Sequence, residues 1–168
     1  MQEPITLHIA ELAACVGPQE MVTNGIGSCI VIVLVDKDAK IGGMAHAILP
    51  TRRVGLATLD EVAEETRSRP YPIKYAKFAD EAVAILLEEV IRMGANRSRI
   101  IAKLVGGARM FKLLESSSIG LGKSNIESAR SALLSLGIPI ENEVTGGGIG
   151  RNVRFNPSTG IVEVMTKV

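Results

Sequence analysis

The sequence predicts one globular domain that mixes strands with helices, of α/β or α+β class. Its 168 residues with 46% hydrophobic content suffice for one well-formed core and are too few for two. Short apolar or alternating runs bounded by Gly, Pro and Asn read as strands, and two helical patterns lie between them in the chain.

Residues 5–10 alternate apolar with polar or small side chains, the period of a half-buried strand, and parity turns His8 outward. The apolar runs 29–35 and 41–49, separated by residues 36–40, read as a hairpin. Residues 51–77 are a polar excursion, rich in Arg and Glu, with Pro70, Pro72 and room for a short helix. From Asp80 onward, Val83, Leu86, Leu87 and Val90 share one helical face that Gly94 ends; Glu88, Glu89 and Arg92 are read as its solvated side. Ser124 with Glu127 has capping-box spacing, and Ile126, Ala129, Leu133 and Leu136 continue as an apolar face ending at Gly137. Residues 100–105, 138–144, 153–155 and 161–165 are strand-like, the last two joined by a turn over residues 156–160.

Lys and Arg total 19 against 18 for Asp and Glu, so no global field attracts nucleic acid. There is no apolar span of about 18 residues, and the start carries Glu3 and Pro4 where a signal peptide needs positive charge. A cytoplasmic protein without membrane insertion is expected. Two cysteines in a reducing compartment disfavour a bridge between Cys15 and Cys29. The Cys and His spacings predict no metal, and no cofactor is expected. Gly120-Leu121-Gly122-Lys123-Ser124 resembles a phosphate loop, but position 117 is Ser where the motif needs Gly. The glycines of 146–150 lead into a strand and are read as a tight connection.

The chemistry concentrates at Cys29 and His46. Thr23-Asn24-Gly25-Ile26-Gly27-Ser28-Cys29 places a thiol after a glycine-rich turn at a strand start, and His46 sits on the facing run. An imidazole close to a thiol promotes thiolate attack and can protonate a leaving group. Each residue alone also fits a core role, because free cysteine is mostly buried and His46 has apolar neighbours. A purely structural cysteine, however, has no need of Gly25, Gly27 and Ser28, which let a substrate approach the backbone. Cys15 lacks such an approach and is read as a small apolar side chain.

With these motifs the chain resembles the chemoreceptor glutamine deamidase family, CheD. The resemblance runs through residues 23–29, Gly42 to His46 with Leu49-Pro50, 74–80, 106–111, Ile119-Gly120 with Asn125 to Glu127, 145–151 and Thr159-Gly160. It implies an α/β sandwich of mixed β-sheets with flanking helices, one domain over residues 1–168. It implies a protein-glutamine glutaminase with Cys29 as nucleophile, His46 as general base and acid, and Thr23 orienting the imidazole. The implied partners are methyl-accepting chemotaxis receptor helices and a CheC-type phosphatase. Backbone N–H groups around Gly27, Ser28 and Cys29 are candidates for holding an oxyanion, and Ser28 either donates its hydroxyl there or merely completes the turn. The competing readings are a binding module acting on that phosphatase and another cysteine hydrolase or acyl-transferase.

Overall fold

Strand β4, Ile30–Asp36, is buried along its whole length, because both faces of its sheet are covered. An unbroken apolar run is what such a strand requires. The computed structural model describes residues 2–52, 58–109 and 120–166. Around β4 lie β1 (Ile5–Leu7), β2 (Glu11–Val16), β3 (Met21–Ile26), β5 (Ile41–Ala47), α1 (Leu59–Thr66), β6 (Lys74–Tyr75) and α2 (Ala79–Arg92). The chain continues through β7 (Ile101–Gly106), α3 (Leu121–Ser135), β8 (Ile140–Thr145), β9 (Arg151–Asn156) and β10 (Ile161–Thr166).

Two mixed sheets form the sandwich, one ordered β6-β2-β5-β4-β7-β8 and the other β1-β3-β9-β10. Val31, Val33, Val35 and Met44 of the larger sheet meet Leu7, Met21, Ile26, Val153 and Phe155 of the smaller. On the other face, Ile30, Ile32, Leu34 and Ala45 pack under Val83, Leu86 and Val90 of α2 and Ala129 and Leu133 of α3. The α/β sandwich with flanking helices is therefore the observed architecture. Helix α3 links β7 to β8, which pair in parallel. A crossover helix is how parallel neighbours are joined.

The predicted hairpin forms, with Val31 opposite His46 and Asp36 opposite Ile41. At its turn the buried Asp36 carboxylate takes two bonds from Arg99, at 3.0 and 2.9 Å, and one from the Asn96 N–H at 2.8 Å. Arg99 is the main reason its pKa falls to about 2.

Several elements differ from expectation. The strand at residues 5–10 stops at Leu7, because the His8 N–H turns to the Glu11 carboxylate (2.8 Å) and Ala10 takes φ 65°. Strands β2 and β3 escaped the sequence reading: β2 is short and rich in Ala, while β3 carries Asn24 and Gly25 at a register shift. The glycine-rich turn thus shrinks to residues 27–29. Helix α3 begins at Leu121 and not at Ser124, whose N–H already bonds back to the Gly120 carbonyl at 2.6 Å. A capping box does occur, at Thr58 and Glu61 of α1. Glu89 is buried rather than solvated, paired with Lys74 at 2.5 Å and with Arg92. In the polar excursion, residues 53–57 lie outside the described residues, as does the 110–119 part of the family-like segments. Helix α1 buries no residue and is tied back by ion pairs of Glu61 to Lys77, Glu64 to Arg69 and Glu65 to Arg52.

Candidate active site

Because Val31 faces His46 across the hairpin, the two side chains share one face of the sheet. Cys29 lies two residues before Val31 and packs against the same inter-sheet core, which puts it diagonal to His46. Cys29 is partly exposed, whereas Cys15 is buried and both are free thiols. Sequence pairing and sheet register therefore agree on bringing residues 29 and 46 to one side.

Thr23 comes from the opposing sheet. Its hydroxyl lies 2.7 Å from His46 Nδ1 and donates to the Leu7 carbonyl at 2.8 Å. A carbonyl only accepts, so the single hydroxyl proton goes to Leu7 and the oxygen accepts from Nδ1–H. That hydrogen-bond count fixes the tautomer and leaves Nε2 with a free lone pair. Nε2 is buried and has no hydrogen-bond partner among the described residues. An unpaired buried nitrogen is costly to keep, which makes it a candidate reactive atom.

Both groups are held toward their neutral forms. Burial lowers the His46 pKa to about 4, with Glu11 pulling it up and His8 pushing it down to lesser degrees. Burial likewise raises the Cys29 thiol, offset in part by its own backbone N–H turned to the sulfur. These environments favour thiol beside imidazole at rest over a thiolate and imidazolium pair.

The turn that carries Cys29 is clamped by its carbonyls. Gly27 O accepts from Ala108 N at 2.9 Å and Cys29 O from Gly107 N at 2.7 Å. Gly106 takes φ 118°, and a Cβ there would meet Cys29 O at 2.3 Å, so only glycine allows this approach. Asn125 of α3, fully buried, donates to Ser28 O at 2.8 Å and to Ile48 O at 3.1 Å. One turn on, Ser128 donates to Pro50 O. Helix α3 therefore grips both chain segments that present Cys29 and His46. Sequence reasoning gave Asn125 no role, although an amide four residues before Ala129 on the buried face was a visible signal. Arg151 was also missed; its guanidinium reaches the carbonyls of Gly106 (3.3 Å) and Gly146 (2.9 Å), bracing the glycine connection.

A cleft of about 690 Å³ is lined by Leu7, whose carbonyl holds Thr23, by Glu11, which lies opposite His46 in the sheet, and by Asn24, Arg67 and Arg69; Arg69 pairs with Glu11 at 3.7 Å. Among the described residues no group of three or more His, Cys, Asp or Glu side chains is placed to hold a metal ion, and no helix is long and apolar enough to cross a membrane.

Comparison with known proteins places the chain in a family. Residues 63–166 match the family model CheD, described as CheD chemotactic sensory transduction, a match that does not extend to residues 23, 29 and 46. Full-length relatives extend the likeness across them. The chain is 39% identical to the probable chemoreceptor glutamine deamidase CheD 2 of Geobacter metallireducens, over 98% of this chain and 94% of that one. It is 36% identical to the probable chemoreceptor glutamine deamidase CheD of Pyrococcus abyssi, over 98% and 92%, and 33% identical to the chemoreceptor glutamine deamidase CheD of Halalkalibacterium halodurans, over 99% and 95%. Among solved structures, Bacillus licheniformis hypothetical protein YfiH aligns at TM-score 0.41 and 14% identity, over 80% of this chain and half of that one. With a family model matching most of the chain and relatives above 30% identity along nearly all of it, the chain belongs to the CheD family.

Proposed function

We propose that this chain is a chemoreceptor glutamine deamidase, hydrolysing glutamine side chains of chemotaxis receptors to glutamate with release of ammonia. Cys29 is the nucleophile, His46 the base and acid, and Thr23 the group that orients the imidazole. The observation that carries this reading is the Thr23 to His46 Nδ1 contact at 2.7 Å, which leaves Nε2 unpartnered on the face Cys29 shares.

Starting from the neutral pair, Nε2 takes the thiol proton as sulfur attacks the γ-carbonyl carbon of the glutamine. The tetrahedral intermediate holds an oxyanion, which backbone N–H groups of the clamped 28–29 turn stabilise by about 3 kcal/mol per donor. An amide nitrogen leaves only when protonated. His46 supplies that proton, and its depressed pKa makes the imidazolium a ready acid. Ammonia departs and a thioester on Cys29 remains. Water, deprotonated by the again neutral imidazole, cleaves the thioester to glutamate, and the thiol recovers its proton.

The protein acts in the cytoplasm, as one domain over residues 1–168, on the cytoplasmic helices of the receptors. A CheC-type phosphatase is its regulatory partner, and adding that phosphatase to a deamidation assay should change the rate; an unchanged rate would remove it as a partner. The test of the activity is ammonia release from a receptor cytoplasmic fragment. Wild-type protein and Cys15→Ala should both release it, Cys29→Ala should not, and His46→Ala should nearly fail. Full activity in Cys29→Ala would end the proposal.

A further inference from the structure

A trans peptide sets its N–H opposite its C=O. Pinning a carbonyl therefore aims the next residue's N–H. In the turn before β4, the Gly27 carbonyl is held by the Ala108 N–H, which directs the Ser28 N–H the other way. The Ser28 carbonyl is held by Asn125 Nδ2 at 2.8 Å, which directs the Cys29 N–H away from α3. That N–H lies on the side of the Cys29 sulfur, where it partly offsets the effect of burial on the thiol. An oxyanion formed by attack of that sulfur sits beside the same N–H, as in other acyl-transfer sites where the nucleophile's own amide serves the oxyanion hole.

The second bond of Asn125, to Ile48 O at 3.1 Å, ties the chain just after His46 to the same side chain. Two carbonyl acceptors can be served only by the NH2 end of the amide, so its orientation is settled. Its Oδ1 is then left buried without a partner, an expense a merely space-filling residue would not incur.

We propose that Asn125 is a positioning residue for the reaction: by holding the carbonyls of Ser28 and Ile48 it aims the Cys29 N–H at the developing oxyanion and fixes the nucleophile segment against the base segment. The inference rests on the deamidase reading given above. It assigns to a residue outside the Cys, His and Thr set a share in transition-state stabilisation that acts through the backbone.

The experiment compares wild type, Asn125→Ala and Asn125→Leu, the last filling the space without a donor. Ammonia release from a receptor cytoplasmic fragment gives kcat and KM, and alkylation of Cys29 by iodoacetamide, read by mass spectrometry against pH, gives thiol reactivity. Alkylation displaces iodide and forms no oxyanion, so it registers the N–H only through its modest effect on the thiol. Cys15, which should stay unreactive, reports the fold. Expected is a fall in kcat on the order of 100-fold in both variants with KM within about twofold, and a change in Cys29 alkylation of less than about tenfold, well short of the fall in kcat. Wild-type kcat in either variant, recovery of kcat by leucine, or alkylation falling in parallel with kcat would overturn it. Failure of the deamidase reading is distinguishable, because wild type would then release no ammonia or Cys29→Ala would release as much.

Discussion

At His46 the costs of burial and the needs of chemistry meet in one ring. An imidazole held near pKa 4 is a neutral base throughout the physiological range, and its thiol partner is raised above its ordinary value. The one proton the reaction needs stays on the pair from about pH 4 up to the raised thiol value, so the rate of deamidation should be flat across neutral pH and not pass through a maximum near pH 6.5. A bell centred on that value would indicate a resting ion pair instead. Thr23→Val removes the hydroxyl that accepts from Nδ1–H while keeping the shape, and should lower kcat on the order of tenfold, since orientation is a part of the acid and base contribution. An unchanged kcat would make Thr23 a packing residue. Cys29 and His46 were legible as a pair because the chain has only two cysteines and two histidines. Thr23 was not legible from physics: its contact with His46 depends on β3 lying across from β5, an approach between sheets that no local pattern encodes.

At the scale of elements, the hairpin β4–β5 is the frame, and its far end is locked by Asp36. Removing that carboxylate leaves the Asn96 and Ala39 N–H groups and Arg99 without their acceptor. Because Arg99 is partly exposed, Asp36→Ala should cost about 3 kcal/mol, at the low end for a broken buried pair, as read by urea unfolding. Near the site, Gly106→Ala would force a Cβ against the Cys29 carbonyl at a backbone angle that disfavours side chains. It should destabilise the fold by about 2 kcal/mol and displace Cys29, lowering kcat as well. The hairpin and α2 were readable because each has a clean period of apolar residues bounded by turn formers. The start of α3 was not, since Ser124 and Glu127 copy the spacing of a cap while lying inside the helix, where Glu127 faces Lys123 instead. Glu89 was misjudged for a similar reason: Lys74 arrives from β6 and joins Arg92 in pairing the buried glutamate, a partner the helix pattern does not show.

For the whole molecule, the sandwich encloses an ionisable ring, and this links stability to pH. The folded pKa of His46, about 4, lies below the value of about 6.5 expected when unfolded, so the unfolded chain binds the proton more readily. The contribution is fully present above about pH 6.5 and is lost as pH falls toward 4, amounting to about 3 kcal/mol. Urea unfolding at pH 7 and at pH 4.5 should show this loss, and His46→Gln should show much less of it. The mixed class was legible from alternating elements, yet the two-sheet arrangement was not, because β2 and β3 carry Ala, Asn and Gly in place of the usual branched residues. The family resemblance supplied what periodicity lacked. The central claim is that Cys29, with His46, converts receptor glutamine to glutamate. Peptide mapping of a receptor cytoplasmic fragment after incubation tests it most directly, by a mass gain of about one dalton at glutamine, the signature of side-chain amide hydrolysis. The gain should appear with wild-type protein and vanish with Cys29→Ala; an equal gain with that variant, a larger amine adduct, or backbone cleavage would contradict it.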